Sequence, residues 1–245
     1  MFYSKLIITI LNFLDFFQQK KIIELIRNKF SIPIVVFDVG AHYGETIRLF
    51  SRKLKIKKIY SFEASPQNFQ ILKKKISKKQ IDSGKVEIYN LGLGSKISKS
   101  YINQSIESSS STINEVNKES KYFKRKLRIL NIKQKDSFYQ KIPIKLVTLD
   151  SLIEKLDIPK IDLLKIDTEG YELNILKGLS KYSQKINLIY FEHHYDDMII
   201  KDYKFSDIHN LLKEKGFIRI KKSKMLFRKS FEYIYENQKN KTSLN

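Results

Sequence analysis

The stretch 34–45, IVVFDVGAHYGE, is the feature that most constrains how this chain can fold. Its first half is apolar and largely β-branched, which is typical of a strand buried on both faces of a parallel sheet. Gly40 and Gly44 then form a turn, after which the apolar spacing becomes that of a helix. A buried strand that leads through a glycine turn into a helix predicts a nucleotide-like ligand at the carboxyl edge of an α/β sheet.

The turn itself distinguishes between classes of ligand. It contains neither GxGxxG nor GxxxxGK[ST], the patterns expected of loops that hold phosphates. Asp38 instead suits a ligand that carries amino groups or a cation, and this combination favours S-adenosylmethionine over a dinucleotide. A tight turn that binds no ligand is the alternative, since such turns recur in α/β domains.

Two further segments repeat this arrangement of a predicted strand followed by polar or small residues. Glu63 ends the predicted strand 58–63, about 20 residues after the first turn, where nucleotide-binding sheets place the acid that binds the ribose hydroxyls. Asn90 ends a third predicted strand, and Gly92 behind it would let the backbone approach a flat ring such as adenine. The predicted cofactor-binding residues are Asp38, Gly40, His42, Gly44, Glu63, Ala64, Asn90, Gly92 and Asp167.

The second half of the chain continues the α/β pattern. Buried strands are predicted at 161–167 and 186–191, each followed by a helical segment. Two alternating segments at 217–222 and 226–235 predict an antiparallel hairpin at the edge of the sheet.

Residues 95–141 lack a regular pattern and are long for a connection inside a compact domain. They are predicted to be a substrate-facing insertion, partly helical between residues 114 and 130, with a disordered loop as the alternative. The predicted organisation is an N-terminal helical extension at 1–30, the α/β domain at 31–236 and a polar tail at 237–245.

The chain is strongly basic, with a formal net charge of +21. Such a charge is compatible with nucleic acid, but it is nearly all lysine, without an arginine-rich stripe or a recognisable nucleic-acid module, which favours a compositional origin. The densest basic run, 121–135, could still meet an acidic substrate or a membrane headgroup. The absence of cysteine excludes disulfides, thiolate zinc sites and cysteine nucleophiles.

The N-terminal apolar run 6–17 is interrupted by Asn12 and Asp15 and is too short to span a bilayer. It also lacks the small-residue cleavage site of a signal peptide. With the apolar positions between 22 and 26, it predicts one or two helices that lean on the core, form a dimer face or lie on a membrane surface. We therefore expect a cytoplasmic protein, with peripheral contact at the inner membrane face as the sharper alternative.

Four motifs, in order along the chain, carry a family resemblance: DVGAHYG at 38–44, FEA at 62–64, TLD at 148–150 and KIDTEGYE at 165–172. Together they resemble the FkbM family of S-adenosylmethionine-dependent methyltransferases, over roughly residues 34–194. The resemblance implies a Rossmann-like class I methyltransferase fold, with a seven-stranded sheet whose last hairpin is antiparallel. It also implies O-methylation, often of sugar hydroxyls. Ala64 and Ser65 precede Pro66 where the family more often has Glu-Pro directly, and His42 stands where the family commonly has Asn.

Methyl transfer to a hydroxyl needs an aligned acceptor oxygen and often a base that takes its proton. The predicted catalytic residues, Asp167, Glu169, His193 and His194, lie at or just beyond the ends of two predicted strands. Asp167 and Glu169 could alternatively act as acids at a helix N-terminus, whereas either histidine could be the base because its pKa lies near neutrality. A divalent cation held by Asp167, Glu169 and Glu192 is a further alternative, although oxygen-ligand sites have no decisive spacing.

On this resemblance, the leading hypothesis is an S-adenosylmethionine-dependent O-methyltransferase that acts on a hydroxyl of a sugar, glycan or glycolipid-type acceptor. A nicotinamide-dependent oxidoreductase would also use Glu63 but would need the missing pyrophosphate turn. A basic nucleic-acid-binding protein or an RNA methyltransferase would show steeply salt-dependent polynucleotide binding. The acceptor, its methylated position and the oligomeric state stay open at this point.

Overall fold

The computed structural model describes residues 19–132, 136–225 and 229–243. Its centre is a seven-stranded sheet formed by β1 (Ile34–Val39), β2 (Ile56–Phe62), β3 (Val86–Tyr89), β7 (Ile161–Ile166), β8 (Ile186–His194), β9 (Phe217–Lys224) and β10 (Ser230–Asn237). The strand order is β3-β2-β1-β7-β8-β10-β9, and β10 runs antiparallel to both of its neighbours. The predicted seven-stranded α/β sheet with an antiparallel terminal hairpin is confirmed.

Helices cover both faces of the sheet, as parallel strands require. They are α1 (19–29), α2 (Glu45–Lys53), α3 (Pro66–Lys75), α4 (Lys78–Asp82), α5 (Lys121–Leu130), α6 (Leu149–Lys155), α7 (Glu172–Lys177) and α8 (Phe205–Glu214). The apolar sides of α6, α7 and α8 form one hydrophobic core with the sheet, and those of α1, α2 and α3 form another on the opposite face.

A second, three-stranded sheet lies beside the first. Its order is β4-β6-β5, with β4 at Gly92–Leu93, β5 at Ser98–Ser105 and β6 at Tyr139–Val147. The helix expected between residues 114 and 130 is present as α5. The strand β5 was not expected, because its sequence, SKSYINQS, is largely polar and forms a strand by pairing with β6.

The described part of the N-terminal extension packs on the core. Ile22 and Ile26 in α1 are 1% and 0% exposed and belong to the hydrophobic cluster that also contains residues of α2 and α3. The apolar side of α1 therefore faces the protein, which does not support its contact with a membrane surface. The apolar run 6–17 lies outside the described residues. Among the residues that the structure describes, no helix has the length and apolar character that crossing a bilayer requires.

Candidate active site

A cavity of about 730 Å³ lies at the carboxyl edge of the central sheet, a size typical of small-molecule sites. The residues of the predicted cofactor site that line it are Gly40, His42, Glu63, Ala64, Gly92 and Asp167. Two of the predicted catalytic residues, Asp167 and Glu169, also line it, together with Glu192. The predicted site residues that lie outside its lining are Asp38, Gly44, Asn90, His193 and His194.

Glu63, directly after β2, is almost fully buried. Its Oε2 accepts the backbone N–H of His42 at 2.8 Å, and its Oε1 accepts the backbone N–H of Ser65 at 2.9 Å. Burial nonetheless raises the pKa of Glu63 to about 7, against the lowering effect of these two hydrogen bonds. Because each carboxylate oxygen can accept two hydrogen bonds, Glu63 keeps acceptor capacity for the hydroxyls of a ligand.

At two glycines that line the cavity, an added Cβ would come into close contact with neighbouring atoms. Gly40 has a φ of +86°, and a Cβ there would lie 1.8 Å from the carbonyl oxygen of Asp167. At Gly92 a Cβ would lie 2.6 Å from the side chain of Leu146 and 3.3 Å from that of Ala64. The first contact joins the turn after β1 to the end of β7, and the second joins β4 to β6.

Gly44 and Asn90 contact segments that line the cavity, although they do not line it themselves. Gly44 has a φ of +82° and is the N-cap residue of α2, and a Cβ on it would lie 2.9 Å from the side chain of Leu72. The amide of Asn90 donates to the carbonyl oxygens of Glu63 and Ala64, at 2.8 and 3.2 Å. Both residues therefore stabilise loops whose other members line the cavity.

Asp38 meets an amino group, but it is that of a lysine in β7. Nζ of Lys165 lies 3.6 Å from Oδ1 of Asp38 and 3.2 Å from Oδ2 of Asp167. Burial raises the pKa of Asp38, and this rise is moderated by Lys165 and by a hydrogen bond from Ser61. Burial opposes the charge of Lys165 as well, yet the two carboxylates outweigh it and raise the pKa of this lysine.

Lys165 lines the cavity and was missed as a site residue in the sequence. The signal that could have found it is its position inside β7, IDLLKI, whose six residues are all buried. A buried lysine needs anionic partners, and the sequence offers Asp167 two positions further along.

Three carboxylates surround His194 at the end of β8. Its Nε2 lies 3.4 Å from Oε2 of Glu169 and 3.5 Å from Oε1 of Glu192, and its Nδ1 lies 3.5 Å from Oδ2 of Asp196. Burial disfavours the charged imidazole, but these carboxylates outweigh it and raise the pKa of His194 to about 10. At neutral pH His194 is therefore an imidazolium, which cannot accept a proton.

Glu169 has the properties of a titrating group at neutral pH. Burial raises its pKa, His194 lowers it, and Glu192 and Asp167 raise it, with a net value of about 7. Its φ of +52° places a non-glycine residue in the left-handed region, a strained conformation that often marks functional sites.

His193 is directed elsewhere. It is buried, and its Nδ1 lies 3.9 Å from Oε2 of Glu172. Its ring packs against Tyr195, Tyr203 and Phe205. His193 therefore belongs to the packing between β8 and the start of α8, outside the lining of the cavity.

The wall opposite the central sheet comes from the segment 95–141. Nε2 of His42 lies 2.7 Å from Oγ of Ser108, which ties the turn after β1 to this segment. Nζ of Lys126 in α5 lies 2.7 Å from Oε1 of Glu107. Burial would raise the pKa of Glu107, but Lys126 and nearby serine hydroxyls hold it at about 2. These contacts were missed in the sequence because they join residues far apart in a segment without a pattern.

The arrangement does not support the alternative of a divalent cation. Among the described residues, no group of three or more His, Asp or Glu side chains could hold a metal ion. Asp167 pairs with Lys165, and Glu169 and Glu192 flank the imidazolium of His194. The carboxylates that a metal would need are therefore already paired with these two cations.

With this sheet order and an antiparallel β10, the chain has a Rossmann-like fold similar to those of solved methyltransferase structures. A family model described as the methyltransferase FkbM domain matches residues 38–219. The chain belongs to this family, as the four motifs predicted.

Individual relatives agree with this assignment. The hexuronic acid methyltransferase AglP of Haloferax volcanii is 26% identical over 176 residues, which make up 72% of this chain and 62% of the relative. The crystal structure of methyltransferase FkbM from Methylobacillus flagellatus KT aligns with a TM-score of 0.53 and 17% identity, over 84% of this chain and 44% of that chain.

A more distant structure shows the same fold with its cofactor. Magnesium protoporphyrin IX methyltransferase from Synechocystis PCC 6803, crystallised with bound S-adenosylmethionine, aligns with a TM-score of 0.51 and 9% identity, over 94% of this chain and 81% of that chain. At these identities the two structures establish the fold alone. The chain spans 62% of the curated relative and 44% of the FkbM crystal structure.

Proposed function

We propose that this protein transfers the methyl group of S-adenosylmethionine to a hydroxyl of a carbohydrate acceptor. The observation that carries the proposal is one cavity lined by the buried carboxylate of Glu63 and by those of Asp167, Glu169 and Glu192. The first suits the ribose hydroxyls of the cofactor. The other three suit an acceptor hydroxyl that must lose a proton.

The residues of the cavity fit the proposed cofactor. Glu63 offers acceptor capacity for two neighbouring hydroxyls, and Ala64 and Gly92 leave room for a flat ring against the backbone. Leu91 and Leu93 add apolar lining beside them. When bound, S-adenosylmethionine supplies a sulfonium methyl group as the electrophile.

Glu169 is the proposed general base. It lines the cavity, and its pKa of about 7 lets a large fraction be ionised at neutral pH. A base with such a pKa is close to the optimum for proton transfer. His194 acts differently from the predicted base, because as an imidazolium it positions Glu169 and Glu192.

Two observations support a carbohydrate acceptor. The curated relative from Haloferax volcanii is named for a hexuronic acid, which is a sugar. The lining from the segment 95–141 includes the hydroxyl side chains of Ser108, Ser109, Ser111 and Thr112. Each of them donates its hydrogen to an acceptor within the protein, and their oxygens are acceptors for the hydrogens of sugar hydroxyls.

Calorimetric titration with S-adenosylhomocysteine and S-adenosylmethionine tests the cofactor. The variant is Glu63→Gln. Its side chain carries no charge, and its single amide oxygen must accept the hydrogen bonds of two backbone N–H groups. Hydrogen bonds to charged groups contribute about 1.5–3 kcal/mol, so we expect the affinity to fall by at least about tenfold. The matched control is Glu87→Gln, on the adjacent strand β3 and outside the cavity lining.

The control should bind as the unchanged protein does. Binding of NAD, with neither adenosyl compound bound by the folded protein, would instead favour the oxidoreductase. Tritiated methyl transfer to a panel of methyl glycosides and to RNA then tests the acceptor class. Methylation of RNA with every glycoside left unmodified would contradict the carbohydrate part of the proposal.

A further inference from the structure

The basic helix α5 forms one wall of the cavity. Its sequence, KYFKRKLRIL, contains five basic residues and no acidic one. Phe123 and Leu127 are buried in a small hydrophobic cluster beneath it. This anchoring gives α5 a second face that lines the cavity, formed by Tyr122, Arg125, Lys126, Ile129 and Leu130. The helical part of the basic run 121–135, which is α5, therefore contributes to the candidate active site.

The two cations on this face have different surroundings. Lys126 is compensated by Glu107, whose carboxylate lies 2.7 Å away. Arg125 is exposed at the cavity, and its guanidinium has no ion-pair partner in the part of the chain that the structure describes. This wall therefore carries a positive charge that the described residues leave uncompensated.

The base and the cationic wall lie close to one another. The charge of Lys126 acts on the carboxyl of Glu169 and lowers its pKa, so both belong to the same electrostatic neighbourhood. On the sheet side, the carboxylates of Asp167, Glu169 and Glu192 outnumber the one lysine, Lys165, that also lines the cavity. The cavity is thus polarised between an acidic sheet edge and a basic α5 wall.

We infer that the α5 face is the acceptor subsite and that it selects a sugar that carries a negative charge near the methylated hydroxyl. The inference rests on the proposed function and adds the charge of the substrate to it. A carboxylate and a phosphate share the required chemistry, because a guanidinium binds either through two parallel hydrogen bonds. The acidic sheet edge repels such an anion, so the charged group lies toward α5 and the hydroxyl toward Glu169.

The α5 face also offers apolar surface on which a sugar ring can pack. Tyr122 and Ile129 supply aromatic and aliphatic surface between the cationic positions, and sugar rings present apolar C–H faces between their hydroxyls. A neutral sugar would use these contacts but would leave Arg125 without an anionic partner.

Binding to the protein saturated with S-adenosylhomocysteine tests the inference, with sugar contacts followed by NMR titration. The probes are methyl β-D-glucuronide, glucose 6-phosphate and neutral methyl β-D-glucoside. We expect one or both anionic probes to bind about three- to tenfold more tightly than the glucoside, the range for an exposed but well-oriented ion pair. The difference between the two anionic probes then identifies the carboxylate or the phosphate as the preferred group.

Arg125→Gln should remove most of this preference, because it should weaken the anionic probes more than it weakens the glucoside. Arg125→Glu should weaken the anionic probes further. The matched control is Arg128→Gln, an exposed arginine on the same helix that does not line the cavity. Thermal melting of each variant establishes that it is folded.

Equal binding of charged and neutral probes, or no binding of either anionic probe, would overturn the inference. An equal loss in Arg125→Gln and Arg128→Gln would overturn it too, because it would reflect only the overall charge of α5. Failure of the proposed function gives a different result, which is the absence of S-adenosylhomocysteine binding at the first step. Cofactor binding without charge preference would leave the methyltransferase proposal standing and reject only the α5 subsite.

Discussion

Replacing Glu169 with glutamine tests the physical argument about the base without knowledge of the acceptor. The glutamine side chain has nearly the same shape but can neither ionise nor take a proton. In the unchanged protein, burial and the neighbouring carboxylates raise the pKa of Glu169 from 4.5 to about 7. The folded protein therefore binds the proton on this carboxyl more tightly than the unfolded chain does.

The sign and size of the effect follow from this shift. The stabilising contribution of protonated Glu169 is fully present below pH 4.5 and is lost as the pH rises through about 7. At about 1.4 kcal/mol per pH unit, the shift corresponds to about 3 kcal/mol as an upper bound. His194 changes in the same direction, since its raised pKa also gives stability that is lost as the pH rises toward 10. Glu169→Gln removes one of the carboxylates that stabilise this imidazolium. The resulting change at His194 therefore alters the pH dependence of stability in the same direction as the change at Glu169.

Urea denaturation at pH 5 and pH 8 measures the difference. The free energy of unfolding of the unchanged protein should fall by about 1–3 kcal/mol more than that of Glu169→Gln over this interval. The control is Glu115→Gln, an exposed glutamate that pairs with Lys141, and it should follow the unchanged protein. Parallel curves for the unchanged protein and Glu169→Gln would refute the raised pKa and with it the assignment of Glu169 as a base poised at neutral pH.

Three further predictions concern other parts of the site. Lys165→Met removes the ammonium between two carboxylates and should lower the free energy of unfolding by about 3–5 kcal/mol. The control Lys224→Met, at an exposed position, should change it by less than about 0.5 kcal/mol. Equal effects of the two variants in urea denaturation would contradict the ion-pair argument. Gly84 has a φ of +67° and no atom near the position of an added Cβ, so Gly84→Ala should lower the stability by about 1–2 kcal/mol. Gly40→Ala should lower it clearly more, because its Cβ would collide with backbone atoms. Equal melting temperatures of the two variants would contradict the close approach at Gly40. The affinity for S-adenosylhomocysteine should increase by up to about tenfold per pH unit as the pH rises toward 7, because ionised Glu63 is the better hydrogen-bond acceptor. Calorimetry in two buffers should show that protons are released on binding. An affinity independent of pH would contradict the role of Glu63 as the acceptor for the cofactor hydroxyls.

Much of the central sheet could be predicted from the sequence because its signals are local. The apolar runs that became β1, β7 and β8 are buried on both faces, so they read as continuous hydrophobic segments. The terminal hairpin alternates, and the turn after β1 is marked by Gly40 and Gly44. Glu63 could be predicted as a site residue because it directly follows a parallel strand, and the carboxyl ends of such strands lie at the ligand-binding edge of the sheet.

The second sheet and the charges of the site could not be predicted in this way. β5 is polar and becomes a strand through pairing with β6, which lies more than thirty residues away in the chain. The protonation of His194 depends on carboxylates from three different positions. A histidine taken alone has a pKa near neutrality and reads as a base, whereas its neighbours in space make it a fixed cation.

The position of β10 between β8 and the edge strand β9 has a consequence for the order of folding. β9 leaves the ribosome before β10 but is hydrogen-bonded to the sheet through β10, so it can take its place only after residues 230–237 have been synthesised. Until then β8 presents an unpaired edge, and the strand that ends in Glu192 and His194 lacks one of its two neighbours. Unpaired strand edges invite association with other chains. The nascent protein is therefore most exposed to misassembly at the strand that carries part of its active site.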